Sequence, residues 1–356
     1  MKKKKGRRGL VVLLAILLVI AVVLIVNHEA VRMVFYSNYD PKNKLEVSGE
    51  WAGGKTYKNV RYAEISENQY LNLFVPDGDT PAPLMVLVHG GGFIMNDCES
   101  RQAELMYQYF RDHGYACATV NYRLAQEEPF PGAVQDVKAA VRFLRANAGE
   151  YGYNADNIII WGESAGGYLS IMAGVTGDDE FNDVPFIGEE QLDEPVSAKV
   201  AVVVDYYGVM ELQEEAARVA QFREVGIPKF VYTIGNLWLS GALKDYPEYK
   251  TCEDFFIRRQ FEELSDEERQ VYLPESYIRK NLSPENTPYI IISHGDADIT
   301  VPVVQSYRLY DLLSEQIGLD KVELNVIHNA GHASERMYND EVLGALKVRL
   351  DALLAG

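Results

Sequence analysis

The chain has 356 residues, of which 47% are hydrophobic and 24% are charged, as in a globular protein with a sizeable core. This composition excludes disorder for most of the chain and leaves room for one large domain or two ordinary ones. The net charge of −18 excludes partners that are recognised through positive charge, namely nucleic acid and anionic lipid surfaces.

The N-terminal segment is first basic and then apolar. Six Lys and Arg side chains lie within residues 1–9, and residues 10–26 form an uninterrupted apolar run. The run is just long enough to span a membrane, and no small-x-small cleavage site follows it. We therefore predict an uncleaved transmembrane signal anchor, with a cleaved secretory signal as the alternative. Because positive charge stays inside, residues 1–9 are predicted to be a cytoplasmic tail at the cell membrane. Residues 27–356 are then predicted to be extracytoplasmic, or secreted if the N-terminal segment is cleaved.

Beyond this tail the chain is strongly acidic and poor in cysteine. It contains 28 Lys and Arg residues against 52 Asp and Glu, a net charge of −24. Three cysteines, an odd number, do not form a disulfide framework in an exported protein, and no two of them have metal-ligand spacing. We predict no metal site.

The predicted elements follow a regular order after a stalk at residues 27–55. The remainder of the chain, residues 56–356, is predicted to be one domain that opens with an antiparallel hairpin at 60–65 and 70–75. Strands then alternate with helices, which predicts an α/β fold with a mostly parallel sheet and helices on both faces. The strands are predicted at 84–88, 116–121, 157–161, 200–206, 289–293 and 322–327, and the helices at 99–112, 131–148, 165–175, 303–315 and 340–354. An acidic, aromatic-rich stretch at 209–288 is too long for a plain connection, and we predict a lid insertion there.

A Gly-x-Ser-x-Gly motif at residues 162–166 lies between a predicted strand and a predicted helix. Its glycines permit a sharp turn that exposes the serine hydroxyl to a base. The N-terminus of the following helix favours negative charge as it develops. We therefore predict that Ser164 is a catalytic nucleophile, and this placement disfavours the alternative of a glycine-rich turn with an incidental serine.

Three consecutive glycines follow the strand predicted at 84–88, in a His-Gly-Gly-Gly-Phe motif at residues 89–93. Without side chains, their backbone N–H groups can turn inward and donate to the oxyanion of an acyl-transfer intermediate. We predict an oxyanion hole formed by the N–H groups of Gly91, Gly92 and Ala165. A phosphate-binding loop is the competing interpretation, but the Lys-Ser/Thr ending of such loops is absent.

A serine nucleophile needs a base, and six histidines are available. His332 follows the last predicted strand on a glycine-containing loop, from which an imidazole can reach the edge of the sheet. His328, at the end of that strand, is the rival candidate. His89 and His294 each precede a glycine where a strand ends, and we predict that they shape loops.

The base in turn needs an orienting carboxylate. Asp296 and Asp298 both lie on the loop after the strand predicted at 289–293, and the order Ser, Asp, His along the chain is one that serine hydrolases use. We favour Asp298 because it lies further along the loop. Asp296 would then be a solvated or loop-capping acid.

Taken together, these motifs resemble the hormone-sensitive-lipase-like carboxylesterases and the acetyl- and feruloyl-esterase-like group of exported bacterial α/β-hydrolases. The resemblance spans residues 57–356 and rests on the motifs at 89–93, 121–125, 129–131, 162–167 and 294–302, together with Asp136. It implies an eight-stranded α/β-hydrolase sheet and Ser164, Asp298 and His332 as the triad. In one departure, Gln126 replaces the usual proline, which we expect to leave that loop less rigid.

The resulting hypothesis is a serine carboxylic-ester hydrolase that forms an acyl-enzyme and needs no cofactor. We expect a small-molecule or carbohydrate ester as substrate, with short acyl or acetyl groups, and membrane contact only through the N-terminal helix. A catalytically inactive binding protein on the same fold is the main alternative. A peptidase would carry an additional domain, and the acidic composition of residues 209–288 is unlike the apolar lid of a lipase.

Overall fold

The computed structural model describes residues 51–212, 256–258, 263–298 and 300–355. The predicted cytoplasmic tail and signal anchor, nearly all of the stalk, and much of the predicted lid insertion lie outside these residues. Within them, no helix combines the length and the apolar character that crossing a membrane requires.

One eight-stranded sheet organises the described residues, with the strand order β1-β2-β4-β3-β5-β6-β7-β8. The pairs β1–β2 and β2–β4 are antiparallel, and every later pair is parallel. This arrangement agrees with the α/β-hydrolase sheet that the resemblance implies. The strands are β1 Gly54–Arg61, β2 Tyr70–Pro76, β3 Ala82–Val88, β4 Ala116–Val120, β5 Tyr153–Glu163, β6 Val202–Tyr206, β7 Tyr289–Gly295 and β8 Val322–Ile327.

Helices cover both faces of the sheet, so the inner strands are buried on two sides. Residues of β4 and β6 are buried without interruption, including the polar Thr119 and Asp205, as in strands that are covered on both faces. Helices α1 and α8 pack on one face, and α2, α4, α6 and α7 on the other. In the described residues the α-helices are α1 Arg101–Asp112, α2 Gly132–Ala146, α3 Ala148–Tyr151, α4 Ala165–Val175, α5 Asp266–Gln270, α6 Pro274–Asn281, α7 Val304–Ile317 and α8 Asp340–Ala355.

The opening strand is the element that the sequence pattern misplaces. Alternating hydrophobicity predicts a strand at 60–65, whereas β1 covers Gly54–Arg61. Tyr62 and Ala63 are buried in the connection to β2, where the hydroxyl of Tyr62 donates to the carbonyl of Asn121 at 2.7 Å. Burial does not follow the alternating pattern here, because the adjacent residues Tyr62 and Ala63 are both buried while Ile65 is 57% exposed, so the pattern did not locate the strand.

A buried ion pair fixes the loop between β4 and α2. Arg123 donates to Asp136 from Nε at 2.9 Å and from Nη2 at 2.8 Å, and both residues are almost completely buried. Gln69 adds a third side-chain donor at 2.7 Å. A charge in this environment is tolerated only when it is paired and hydrogen-bonded, so the pair determines the path of this loop.

The carboxyl ends of the parallel strands lie along one edge of the sheet. The glycine-rich loop follows β3, Ser164 follows β5, and the loops carrying the candidate acids and bases follow β7 and β8. In open α/β sheets this edge is where ligands bind. The fold therefore brings every predicted site residue to the same side of the molecule.

Candidate active site

Ser164 occupies a sharp turn between β5 and α4. Its backbone has φ 53° and ψ −120°, a conformation that a residue with a side chain rarely adopts and that costs about 1–3 kcal/mol. Its N–H donates to the carbonyl of Tyr206 at 2.9 Å, which ties the turn to the neighbouring strand β6. Ser164 is partly exposed on this turn, as in the strand-to-helix turns that present a serine hydroxyl.

The flanking glycines are required because the backbone segments approach one another closely. A Cβ atom on Gly162 would lie 2.0 Å from the carbonyl oxygen of Gly166. A Cβ atom on Gly166 would lie 2.1 Å from the carbonyl oxygen of Val88. No side chain fits at either position, so the Gly-x-Ser-x-Gly spacing follows directly from the packing of α4 on β3 and β5.

Ser164, His332 and Asp298 form a continuous chain of hydrogen-bond contacts. The Nε2 atom of His332 lies 3.0 Å from Ser164 Oγ, and its Nδ1 atom lies 2.7 Å from Asp298 Oδ2. With the proton on Nδ1, the imidazole donates to Asp298 and accepts from the serine hydroxyl. His332 is 168 positions from Ser164 and 34 positions from Asp298 in the sequence. The fold brings the three side chains together in the order that nucleophilic catalysis requires.

The carboxylate of Asp298 is buried, yet both of its oxygen atoms have partners. Oδ1 accepts from the N–H groups of Thr300 at 2.8 Å and Val301 at 2.9 Å. Oδ2 faces His332, and His294 Nε2 lies 3.2 Å away. Burial raises the pKa of Asp298, but the two histidines outweigh it and hold that pKa well below its usual range. Asp298 is therefore ionised at neutral pH, as an orienting carboxylate must be.

The two rival candidates contact each other and lie apart from Ser164. His328 Nδ1 lies 2.7 Å from Asp296 Oδ2, and the side chain of His328 is 82% exposed. Asp296 also accepts from the backbone N–H of Asn329 at 2.7 Å. The Asp296–His328 pair thus shapes the loop at the surface, which matches the loop-capping role predicted for the second acid.

The predicted oxyanion donors lie on the glycine-rich loop and at the start of α4. Gly91 and Gly92 have φ values of 115° and 59°, which glycine adopts without strain. Among the described residues, none accepts a hydrogen bond from the N–H groups of Gly91, Gly92 or Ala165. These three donors are therefore available to a ligand.

Glu163, next to the serine, connects this loop to the turn. Its Oε1 atom accepts from the N–H of Gly90 at 2.6 Å, and its side chain is almost fully buried. Burial raises the pKa of Glu163 to about 7, although the Gly90 N–H and His332 oppose the shift. We predicted no role for Glu163 from its sequence position.

Two more neighbours of the triad were missed by reasoning from sequence. Tyr207 packs the edge of its ring on His332, with ring centroids 4.8 Å apart, and its hydroxyl contacts that of Tyr338. His294, predicted only to shape a loop, also contacts Asp298. Their positions in the sequence could have indicated them, because Tyr207 and His294 both lie where a strand reaches the carboxyl edge of the sheet.

No described residues suggest a metal centre. Within residues 51–212, 256–258, 263–298 and 300–355, no group of three or more His, Cys, Asp or Glu side chains is arranged to hold an ion.

A family model described as BD-FAE matches residues 71–313. The chain belongs to the BD-FAE family. Membership confirms the esterase-like resemblance of the motifs. Esterase LipC of Mycobacterium tuberculosis is 25% identical over 252 residues, which cover 71% of this chain and 53% of LipC. The chain spans about half the length of the curated relatives it matches.

Solved structures of proteins named as esterases have the same fold. A truncated carbohydrate esterase from gut microbiota has a TM-score of 0.66 and 21% identity, covering 87% of this chain and 100% of that one. The propionate-bound thermophilic esterase Est2 of Thermogutta terrifontis has a TM-score of 0.57 and 19% identity, covering 86% of this chain and 96% of Est2. At these identities the likeness establishes the α/β-hydrolase fold of this BD-FAE chain and nothing finer.

Asp205, at the end of β6, generates a prediction about stability. Its carboxyl group is wholly buried; Oδ1 accepts from the N–H of Gly208 at 2.9 Å, and Oδ2 has no partner among the described residues. Burial raises the pKa of Asp205 to about 7, against the opposing effects of His294 and the Gly208 N–H. The unfolded chain loses this proton near pH 4, so the free energy of unfolding falls as pH rises from about 4 to about 7.

We therefore expect Asp205→Asn to stabilise the protein at pH 8 relative to wild type by about 1–4 kcal/mol, because the amide carries no buried charge. The advantage should be smaller at pH 5. Urea unfolding at the two pH values measures it, with the exposed Asp193→Asn variant as control. An Asp205→Asn advantage that does not grow between pH 5 and pH 8 would contradict the raised pKa.

Proposed function

We propose that this protein is a serine carboxylic-ester hydrolase of the carboxylesterase type. The observation that carries the proposal is the continuous contact from Ser164 through His332 to Asp298, on a turn held in a strained conformation. Strain of this kind persists only where surrounding contacts enforce it, and it concentrates at functional sites. Membership of the BD-FAE family and similarity to proteins named as esterases support the same chemistry.

In the proposed reaction, Ser164 Oγ attacks the ester carbonyl carbon while His332 Nε2 takes the hydroxyl proton. The N–H groups of Gly91, Gly92 and Ala165 donate to the carbonyl oxygen as it becomes an oxyanion. His332 then gives its proton to the leaving alkoxide, and an acyl-enzyme remains on Ser164. Water, activated by the same imidazole, releases the acid and restores the serine.

Asp298 acts in this scheme by holding the imidazole in one tautomer and stabilising its positive charge. Its low pKa keeps it ionised throughout the cycle, while the neighbouring imidazole alternates between neutral and charged forms. Every proton moves between Ser164, His332, substrate and water. The proposed reaction is therefore complete without a cofactor.

For the substrate, we propose short-chain acyl or acetyl esters of small molecules or carbohydrates. Support comes from structural neighbours that are named as a carbohydrate esterase and as an acetyl ester-xyloside bifunctional hydrolase, and from the propionate-bound form of Est2. The acidic surface of the chain disfavours anionic substrates and membrane-surface lipids.

A panel of p-nitrophenyl esters from acetate to palmitate, with acetylated xylan, measures this preference. We expect kcat/KM to peak at acetate to butyrate and to fall at least tenfold by palmitate, since a pocket that rejects even one extra methylene lowers kcat/KM by about 10–200-fold. A maximum at long chains would reject the short-chain proposal and leave the ester hydrolase proposal intact.

Substitution of the nucleophile separates an enzyme from an inactive binding protein on the same fold. We expect Ser164→Ala to abolish p-nitrophenyl acetate hydrolysis and labelling by a fluorophosphonate probe, because both need the serine oxygen. Circular dichroism and thermal unfolding should show that the variant remains folded. Residual activity within a few-fold of wild type would refute the assignment of Ser164.

Two neighbouring aspartates provide a matched pair for testing the carboxylate. We expect Asp298→Asn to lower kcat about 10³–10⁴-fold, because an amide favours the wrong tautomer of His332. Asp296→Asn makes the same chemical change two residues away, where the partner is the exposed His328, and should leave kcat within about twofold. Equal losses in the two variants would disprove the proposed distinction between the acids.

A further inference from the structure

A short segment of the predicted insertion, Phe256–Arg258, contacts the loop that carries the proposed oxyanion donors. Phe256 is only 1% exposed, and its ring stacks on Phe93 with centroids 4.0 Å apart and an interplanar angle of 18°. Tyr168 and Phe130 meet the same ring edge-on, with centroids 6.0 and 5.7 Å away. We call Phe256–Arg258 the anchor segment and residues 89–95 the oxyanion loop.

The backbone of the oxyanion loop needs support where Phe256 contacts it. Phe93 has φ 66°, which is rare and unfavourable for a bulky side chain. Its carbonyl accepts from the N–H of Ala125 at 2.9 Å. The N–H groups of Ile94 and Met95 both donate to the carbonyl of Gly91 at 3.2 Å, which closes the loop into a tight turn. Contacts that hold Phe93 therefore also hold Gly91 and Gly92.

Gln126 joins the oxyanion loop and the anchor segment by hydrogen bonds. The side-chain Nε2 group of Gln126 donates to the backbone carbonyl of Ile94 at 2.6 Å. The backbone carbonyl of Gln126 accepts from Arg258 Nη2 at 3.0 Å. Arg258 also donates to the carbonyl of Glu127 at 3.2 Å, and the N–H of Phe130 donates to the carbonyl of Phe256 at 2.8 Å. Proline, the residue more usual at position 126 in the resembling esterases, has no side-chain donor for the first contact.

We propose that Phe256 and Gln126 are positioning residues for catalysis: together they hold the oxyanion loop in the geometry in which Gly91 and Gly92 donate to the reacting carbonyl. The inference rests on the proposed function and deepens it. Neither side chain touches the substrate. Both act through the backbone, where a displacement of about 1 Å costs up to 10²-fold in rate. In this proposal the anchor segment, which belongs to the predicted insertion, supports the oxyanion hole.

Three variants test the coupling. Phe256→Ala removes the stacked ring, and Gln126→Met keeps the length of the side chain while removing its N–H donor. Phe186→Ala is the control, because Phe186 is also buried, at 2% exposure, but packs against Arg142. We expect kcat for p-nitrophenyl acetate to fall about 10–100-fold in Phe256→Ala and about 3–10-fold in Gln126→Met, with KM nearly unchanged. The control should stay within twofold of wild type in kcat.

Two further readouts distinguish positioning from a general loss of stability. The inhibition constant of a trifluoromethyl ketone, which presents an oxyanion to the donors, should rise in proportion to the loss of kcat/KM. Amide hydrogen exchange in residues 89–95 should accelerate in Phe256→Ala and Gln126→Met but not in Phe186→Ala. The exchange measurement does not depend on enzymatic activity.

The outcomes separate the two proposals. If wild type hydrolyses esters, and Phe256→Ala and Gln126→Met keep wild-type kcat, ketone affinity and exchange, the coupling is overturned and the ester hydrolase proposal stands. If wild type neither hydrolyses esters nor reacts with a fluorophosphonate, the proposed function fails and the catalytic role of the two residues fails with it. Faster exchange in both variants would then still demonstrate the physical link between anchor segment and oxyanion loop.

Discussion

The left-handed backbone of Ser164 is the constraint on which the site depends. That conformation is unfavourable in isolation, and it is imposed here by the close approach of Gly162 and Gly166 and by the hydrogen bond from Ser164 to Tyr206. These contacts exist only because β5 lies between β3 and β6 in the sheet. The position of one hydroxyl is thus determined by three strands and a helix, which makes it rigid before any substrate binds.

Three buried carboxyl groups differ in the direction in which their pKa values are shifted. Asp298 has partners for both oxygen atoms and a lowered pKa, whereas burial raises the pKa values of Glu163 and Asp205 to about 7. The difference follows from partners, since two histidines face Asp298 and each of the other acids accepts from one backbone N–H. Of these three buried carboxyl groups, Asp298 is the one whose lowered pKa favours the charged form at neutral pH.

The sequence predicted the architecture well because its signals are local. Apolar runs separated by helical segments indicate a parallel sheet with helices on both faces, and the structure contains that sheet. The predicted bounds of β1 were wrong because the apolar residues at 60–65 continue beyond Arg61, the last paired residue, into a loop in which Tyr62 and Ala63 are buried. The proposed signal anchor at 10–26 lies outside the described residues and stays a prediction.

By itself, the sequence determined the strand-turn-helix around Ser164 and the glycine loop after β3, since glycine patterns and apolar runs are read within a few residues. It offered two aspartates and two histidines and favoured Asp298 and His332 by their positions on the loops. It did not show which of these residues contact Ser164 or one another. Only the tertiary structure placed His332 against Ser164 and Asp298, and joined His328 to Asp296 at the surface. Only the tertiary structure, again, brought Gln126 and Phe256 to the oxyanion loop. The reason is physical: partners far apart in sequence meet through the packing of the whole sheet, and no local pattern records that packing.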